Sequence, residues 1–159
     1  MKLDAIDVKI LKALQDNARL SNVQLASEVG LSPSPCLVRV RALEESGLIG
    51  KYVALLDPSR LGLKMSVFIQ ISLGNQTENA LEIFQSAIND YPEVMECYLM
   101  TGDADYLLRV VVADVDALRD FILNKLSTIE GIANIRSSVA ISQVKYVTAL
   151  PIEPDDFAR

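Results

Sequence analysis

Apolar positions in this chain keep one period up to about residue 45, and beyond residue 64 two periods alternate. In the first stretch they recur at helical spacing. Ile6, Ile10, Leu11 and Leu14 form one stripe, Leu25, Ala26, Val29 and Leu31 a second, and Cys36, Val40 and Leu43 a third. The polar residues between them mark the helix ends. Asp4 is placed as an N-cap with Leu3 and Val8 in staple positions; Ser21 and Gln24 have capping-box spacing inside a Leu20/Leu25 staple. Gly30 fits a left-handed helix stop, Ser32 and Pro33 a cap and first helical position, and Gly47 a second stop. Two short helices joined by a Gly-containing turn predict a helix-turn-helix. After them, Leu48 to Pro58 is β-branched and aromatic enough to predict a strand, and Pro58 to Gly62 a linker.

From Met65 the period drops to two, with Val67, Ile69, Ile71 and Leu73 alternating against Ser66, Phe68, Gln70 and Ser72. Helical spacing returns over 78–90, through Ala80, Leu81, Phe84, Ala87 and Ile88. Strands are then expected over 94–101 and 106–113, a helix over 115–127 carrying Leu118, Phe121, Ile122 and Leu126 inward, and a long last strand over 132–147. The order β-α-β-β-α-β is that of a ferredoxin-like split βαβ sheet. The fold class read from the pattern is therefore α+β: an N-terminal winged helix-turn-helix over 1–60 and a C-terminal ferredoxin-like βαββαβ domain over 61–159. The run from Tyr106 to Ala113 is apolar on both faces, so a second molecule is expected against the side that the helices leave bare.

Composition narrows the classes. Half of the residues are hydrophobic, enough for real cores, and no apolar run reaches the roughly 18 residues of a membrane span. The start of the chain mixes charges through its apolar residues, unlike a signal peptide, so a cytoplasmic protein is expected. Cys36 and Cys97 read as small buried apolar residues rather than a disulfide. With no histidine, neither a structural metal site nor a bound cofactor is expected. The net charge of −6 is uneven: residues 1–60 hold eight basic and seven acidic side chains, net +1, and residues 61–159 seven against fourteen, net −7. A near-neutral first segment suits a specific reader of double-stranded DNA with few phosphate contacts per subunit, multiplied by assembly.

At about 100° per residue, Cys36, Val40 and Leu43 share one side of the second helix of the pair. Its other side carries Ser34, Val38, Arg41 and Glu45. A helix in the major groove presents its N-terminal side chains to base edges, which selects Ser32, Ser34, Pro35, Val38 and Arg41 as the DNA-facing set, with Lys51 beside a phosphate. Arg39 lies on the flank, placed either for a phosphate or to cover apolar surface with its stem. Helical bundles that never touch nucleic acid use the same apolar spacing, so the pattern alone does not decide.

Four blocks in order, LDAIDVKIL at 3–11, SNVQLASEVGLSPSPCLVRVRALEESGLI at 21–49, YVALLDP at 52–58 and TGDADYLL at 101–108, resemble the Lrp/AsnC family of bacterial and archaeal transcription regulators, also called feast/famine regulators. The resemblance spans nearly the whole chain. It implies a DNA-binding winged helix-turn-helix, a C-terminal domain for effector and assembly, dimers that associate into octamers as tetramers of dimers, and an amino acid as effector. It places the recognition helix on Ser32 to Glu45. It also places the effector loop on Thr101, Gly102, Asp103, Asp105 and Tyr106 with Leu99 before it, and an opposing wall from another subunit on Ser137, Ser138 and Val139. A free amino acid needs an acceptor for its ammonium and donors for its carboxylate, which a loop carboxylate and Ser hydroxyls or backbone N–H groups supply. Without the resemblance, Gly-Asp-Ala-Asp reads as an ordinary hairpin turn.

Two other functions fit the architecture. Siroheme decarboxylases have similar architecture, and their proposed chemistry leans on histidines, which this chain lacks. No nucleophile with an adjacent base and no glycine-rich phosphate loop is found either, so an enzyme is not expected. A stand-alone ligand sensor that does not bind DNA is the third reading.

Overall fold

The computed structural model describes residues 3–153, and the two chain ends of the domains expected over 1–60 and 61–159 lie outside them. It divides into two compact units. One takes the chain up to Leu55 and again from Val144; the other is Leu56–Gln143. The single boundary expected near residue 60 is thus replaced by two crossings of the chain, and the tail from Val144 onward goes with the N-terminal unit.

In that unit α1 (Ala5–Asp16), α2 (Asn22–Val29) and α3 (Pro33–Glu45) enclose a core of Leu3, Val8, Ile10, Ala13, Leu25, Ala26, Val29, Cys36 and Leu43. The helix ends follow the local chemistry. Asp4 accepts from the Ile6 and Asp7 N–H groups, and Asp7 returns an acceptor to the Asp4 N–H, a reciprocal cap. Ser21 and Gln24 make the same arrangement on α2, which stops at Gly30 with φ of 76°. Leu48 to Pro58 departs from expectation: it forms no strand and pairs with none among the described residues, and Tyr52, Val53, Leu55 and Leu56 stand exposed. Among the described residues its β-forming side chains lack a neighbouring strand to complete a ladder.

The tail contacts α1 instead of prolonging a sheet. Ile152 packs on the helical core, and Lys12 pairs with Glu153 at 2.8 Å. Together with residues 48–55 and α1 the tail walls an open apolar cleft of about 470 Å³.

The second unit is a four-stranded antiparallel sheet in the order β2-β3-β1-β4, from β1 (Met65–Leu73), β2 (Val94–Leu99), β3 (Tyr106–Val112) and β4 (Ile132–Val139). Helix α4 (Glu78–Asn89) is capped by Thr77; α5 starts at Val115–Asp120, widens to a π-turn over Phe121–Lys125 and closes with a 3₁₀ turn over Leu126–Thr128. Val67, Ile69, Ile71, Leu108 and Val110 meet Phe84, Ile88, Leu118, Phe121 and Leu126 in one core. β4 is shorter than expected because its partner runs out: β1 begins at Met65, and the last link is Ala140 N–H to the Ser66 carbonyl. The other sheet face is mixed rather than apolar. Phe68 and Tyr98 are exposed there, but Arg109 pairs with Glu96 at 2.8 Å, and the Tyr98 hydroxyl donates to the same carboxylate. Arg109 holds the Glu96 carboxyl below its ordinary range.

Candidate DNA-reading surface and effector loop

Helix α3 starts with Pro-Ser-Pro, and that start fixes what it can offer. Ser32 occupies the N-cap position but its side chain makes no cap bond, and of its two usual donors the one at the third helical position is lost because Pro35 has no N–H. The hydroxyls of Ser32 and Ser34 are thereby left at the surface, beside exposed Pro35, Val38 and Arg41. Asn22, the first residue of α2, donates from Nδ2 to the Pro33 carbonyl at 2.8 Å and ties the two helix starts together. Lys51 is exposed just beyond α3. Beside it, burial first and then a hydrogen bond to Glu44 push the Tyr52 hydroxyl up to about 12.

Arg39 is the exception in the expected DNA set. Its Nη1 lies 2.7 Å from both Asp4 Oδ2 and Asp7 Oδ1, so the guanidinium is engaged on the start of α1. Arg39 and Arg41 are two residues apart, about 200° around the helix, and cannot both face one groove. Sequence reading missed Asp4 and Asp7 as its partners. Their capping spacing is visible in the sequence, but the 35-residue reach to α3 is not.

In the second unit the hairpin between β2 and β3 carries the expected effector loop. Thr101, Gly102 and Asp103 are exposed at its tip, Leu99 is exposed at the end of β2 opposite Tyr106, and Gly102 has φ of 124°, which favours glycine. Asp105 differs from expectation. Its carboxylate accepts from the Leu73 N–H at 2.7 Å and from the Gln76 side chain, while its own N–H donates to the Ile71 carbonyl. It fastens the end of β1 from within its own unit. Tyr106 is also internal, 1% exposed, with its ring 4.3 Å from that of Phe84 and its hydroxyl bonded to Gln85.

The wall expected on β4 divides. Ser137 pairs with Ile69 and Val139 with Val67, on the helix side of the sheet, whereas Ser138 pairs with Phe68 on the other face. Consecutive strand residues alternate, so the three side chains do not line one pocket. Among the described residues no group of three or more His, Cys, Asp or Glu could hold a metal ion, and no helix is long and apolar enough to cross a membrane. The two cysteines are free; Cys36 is buried as expected, but Cys97, on edge strand β2, is exposed.

A three-helix unit with a bared recognition helix, followed by a helix-covered ferredoxin-like sheet, defines a DNA-binding regulator with a ligand-binding domain. Residues 3–49 match the model for winged helix-turn-helix DNA-binding domains, and residues 66–150 that for the Lrp/AsnC ligand-binding domain. The chain belongs to the Lrp/AsnC family. It is 50% identical to the Bkd operon transcriptional regulator of Pseudomonas aeruginosa over 95% of this chain and 99% of that one. It is 42% identical to the leucine-responsive regulatory protein of Escherichia coli, over 95% and 92%. A transcriptional regulator from Neisseria meningitidis solved as an L-Met complex superposes with a TM-score of 0.90 at 40% identity, covering 94% of this chain and 96% of that one.

Proposed function

We propose that this chain is a homo-oligomeric transcriptional regulator that reads double-stranded DNA through Ser32, Ser34, Pro35, Val38, Arg41 and Lys51, and whose effector is a free amino acid with an apolar side chain. The observation that carries the effector is the neighbour solved with L-Met at this level of similarity; the leucine-responsive name of a second relative points the same way. Thr101, Gly102 and Asp103 are the exposed part of the hairpin and the part we assign to the ligand, with Leu99 as an apolar neighbour. Ser138, or Ser137 with Val139, would complete the site from a second copy. Asp105 and Tyr106 shape the loop from beneath.

Assembly into dimers, and of dimers into octamers, is supported by exposed apolar side chains in unpaired backbone: Tyr52, Val53, Leu55 and Leu56 on one segment, Ile141, Val144, Tyr146 and Val147 on another. Segments of this kind are covered when a copy of the chain lies against them. The protein acts on DNA and we place it in the cytoplasm.

A thermal-shift screen of the twenty L-amino acids tests the effector, because a ligand that binds only the native state raises the melting temperature by mass action. Stabilisation by leucine, methionine or a similar side chain, absent with the D-enantiomer, is the expected result. A screen in which none of the twenty shifts the transition overturns the reading.

A further inference from the structure

Of the two arginines in α3, one is committed inside the protein. Arg39 is two-thirds covered, with a side-chain exposure of 32%, and the Asp7 side chain it meets is only 11% exposed. Both carboxylates are themselves fastened to the start of α1. Asp4 Oδ1 accepts from the Ile6 and Asp7 N–H groups at 2.9 Å each, and Asp7 Oδ2 accepts from the Asp4 N–H at 3.0 Å. The guanidinium therefore docks on a preassembled pair of acceptors in the first turn of another helix, a turn flanked by the buried side chains of Leu3 and Val8. Arg41, about 200° around α3, stands exposed on the side away from that clamp.

We infer that Arg39 is a positioning residue for DNA recognition: by clamping α3 to Asp4 and Asp7 it sets the angle at which Arg41 and the Ser-Pro-Ser-Pro start meet the groove, and the two carboxylates are therefore needed for DNA affinity. This rests on the DNA-facing set proposed above. The inference runs against simple electrostatics. Were Arg39 a phosphate contact restrained by Asp4 and Asp7, removing either carboxylate would free it, delete a negative charge and tighten binding. A clamp gives the opposite sign. Tilting the helix lowers affinity even though the protein has become more positive.

The test uses the full chain and a duplex enriched by that chain from a random-sequence pool, titrated over a range of salt. Asp4→Asn and Asp7→Asn are expected to weaken binding, on the order of three- to tenfold, with the slope of log affinity against log salt unchanged. Arg39→Ala should do the same, and Arg39→Lys should recover part of the loss, since a lysine carries the charge but not the planar fork. Tighter or unchanged binding by the two carboxylate variants, or a salt slope reduced by Arg39→Ala, overturns the inference. Thermal melting checks the fold of each variant. Asp4→Asn decides alone if Asp7→Asn is unstable, because asparagine is as good an N-cap as aspartate. Arg41→Ala is measured alongside: full affinity there would reject the DNA-facing set, while the sign of the carboxylate variants still reports on the clamp.

Discussion

The side-chain amide of Gln15 brackets the backbone of Leu150, donating from Nε2 to its carbonyl at 3.2 Å and accepting from its N–H at 2.6 Å. A residue of α1 thus does for the tail what a neighbouring strand would do. Gln15→Ala should remove both bonds and lower stability by about 1 kcal/mol, the net worth of exposed hydrogen bonds of this kind. Ending the chain at Gln143 should cost more, since the packing of Ile152 goes too. Thermal melts of the two variants against the parent measure the order.

Asp105→Ala should destabilise the second unit. The half-buried carboxylate that holds the Leu73 N–H and Gln76 is removed, and an orphaned backbone donor costs about 1–3 kcal/mol. Urea unfolding shows the change as a lower midpoint with the same slope. Asp103→Ala, at the exposed tip, should leave the midpoint in place and weaken the effector instead.

On DNA, Arg41→Ala should cost about 1–3 kcal/mol at the preferred site and relax the preference at one base position. Lys51→Ala should weaken all sequences alike and lower the salt slope by about 0.9 for each phosphate that the lysine neutralises. Quantitative footprinting on the selected duplex and on single-base variants separates the two patterns.

Two pH effects follow from the clamp and its surroundings. The hydrogen bonds from the Asp7 N–H and from Arg39 hold the Asp4 carboxyl below its ordinary range. Its folded value being depressed, the stabilisation is complete above the unfolded value near 4 and is lost as pH falls through the lower folded value. Asp4→Asn should flatten acid unfolding in that window. Tyr52 is raised to about 12, so its neutral form is favoured by folding: the stabilisation is complete below about 10 and is lost as pH rises through about 12. Tyr52→Phe should remove a phenolate that appears near pH 12 in an alkaline absorbance titration.

Features fixed within a few residues were legible in the sequence. Ser21, Gln24 and Gly30 bound α2 by their own hydrogen-bonding and φ preferences, and the alternation from Val67 to Leu73 gave β1 its buried face. What depends on distant partners was not legible. The flank position of Arg39 leaves a phosphate contact and a covering stem both open until Asp4 and Asp7 are seen beside it, and Asp105 reads as a turn residue until the end of β1 arrives under it. The stretch from Leu48 to Pro58 has strand-forming side chains, but a ladder requires a partner strand. Ser137, Ser138 and Val139 are grouped by resemblance, and the two-residue period of β4 separates them.

The tail that docks on α1 also sets an order of events during synthesis. The residues that form the three helices leave the ribosome first, yet Leu150, Ile152 and Glu153, which complete their unit, leave after the whole ligand-binding unit has been translated. At about 5–20 residues per second that interval lasts on the order of ten seconds. A nascent chain, or one terminated before Leu150, therefore carries a DNA-reading unit with an uncovered flank of α1, open to proteases and chaperones, and the flank is closed once the chain has been read through Glu153.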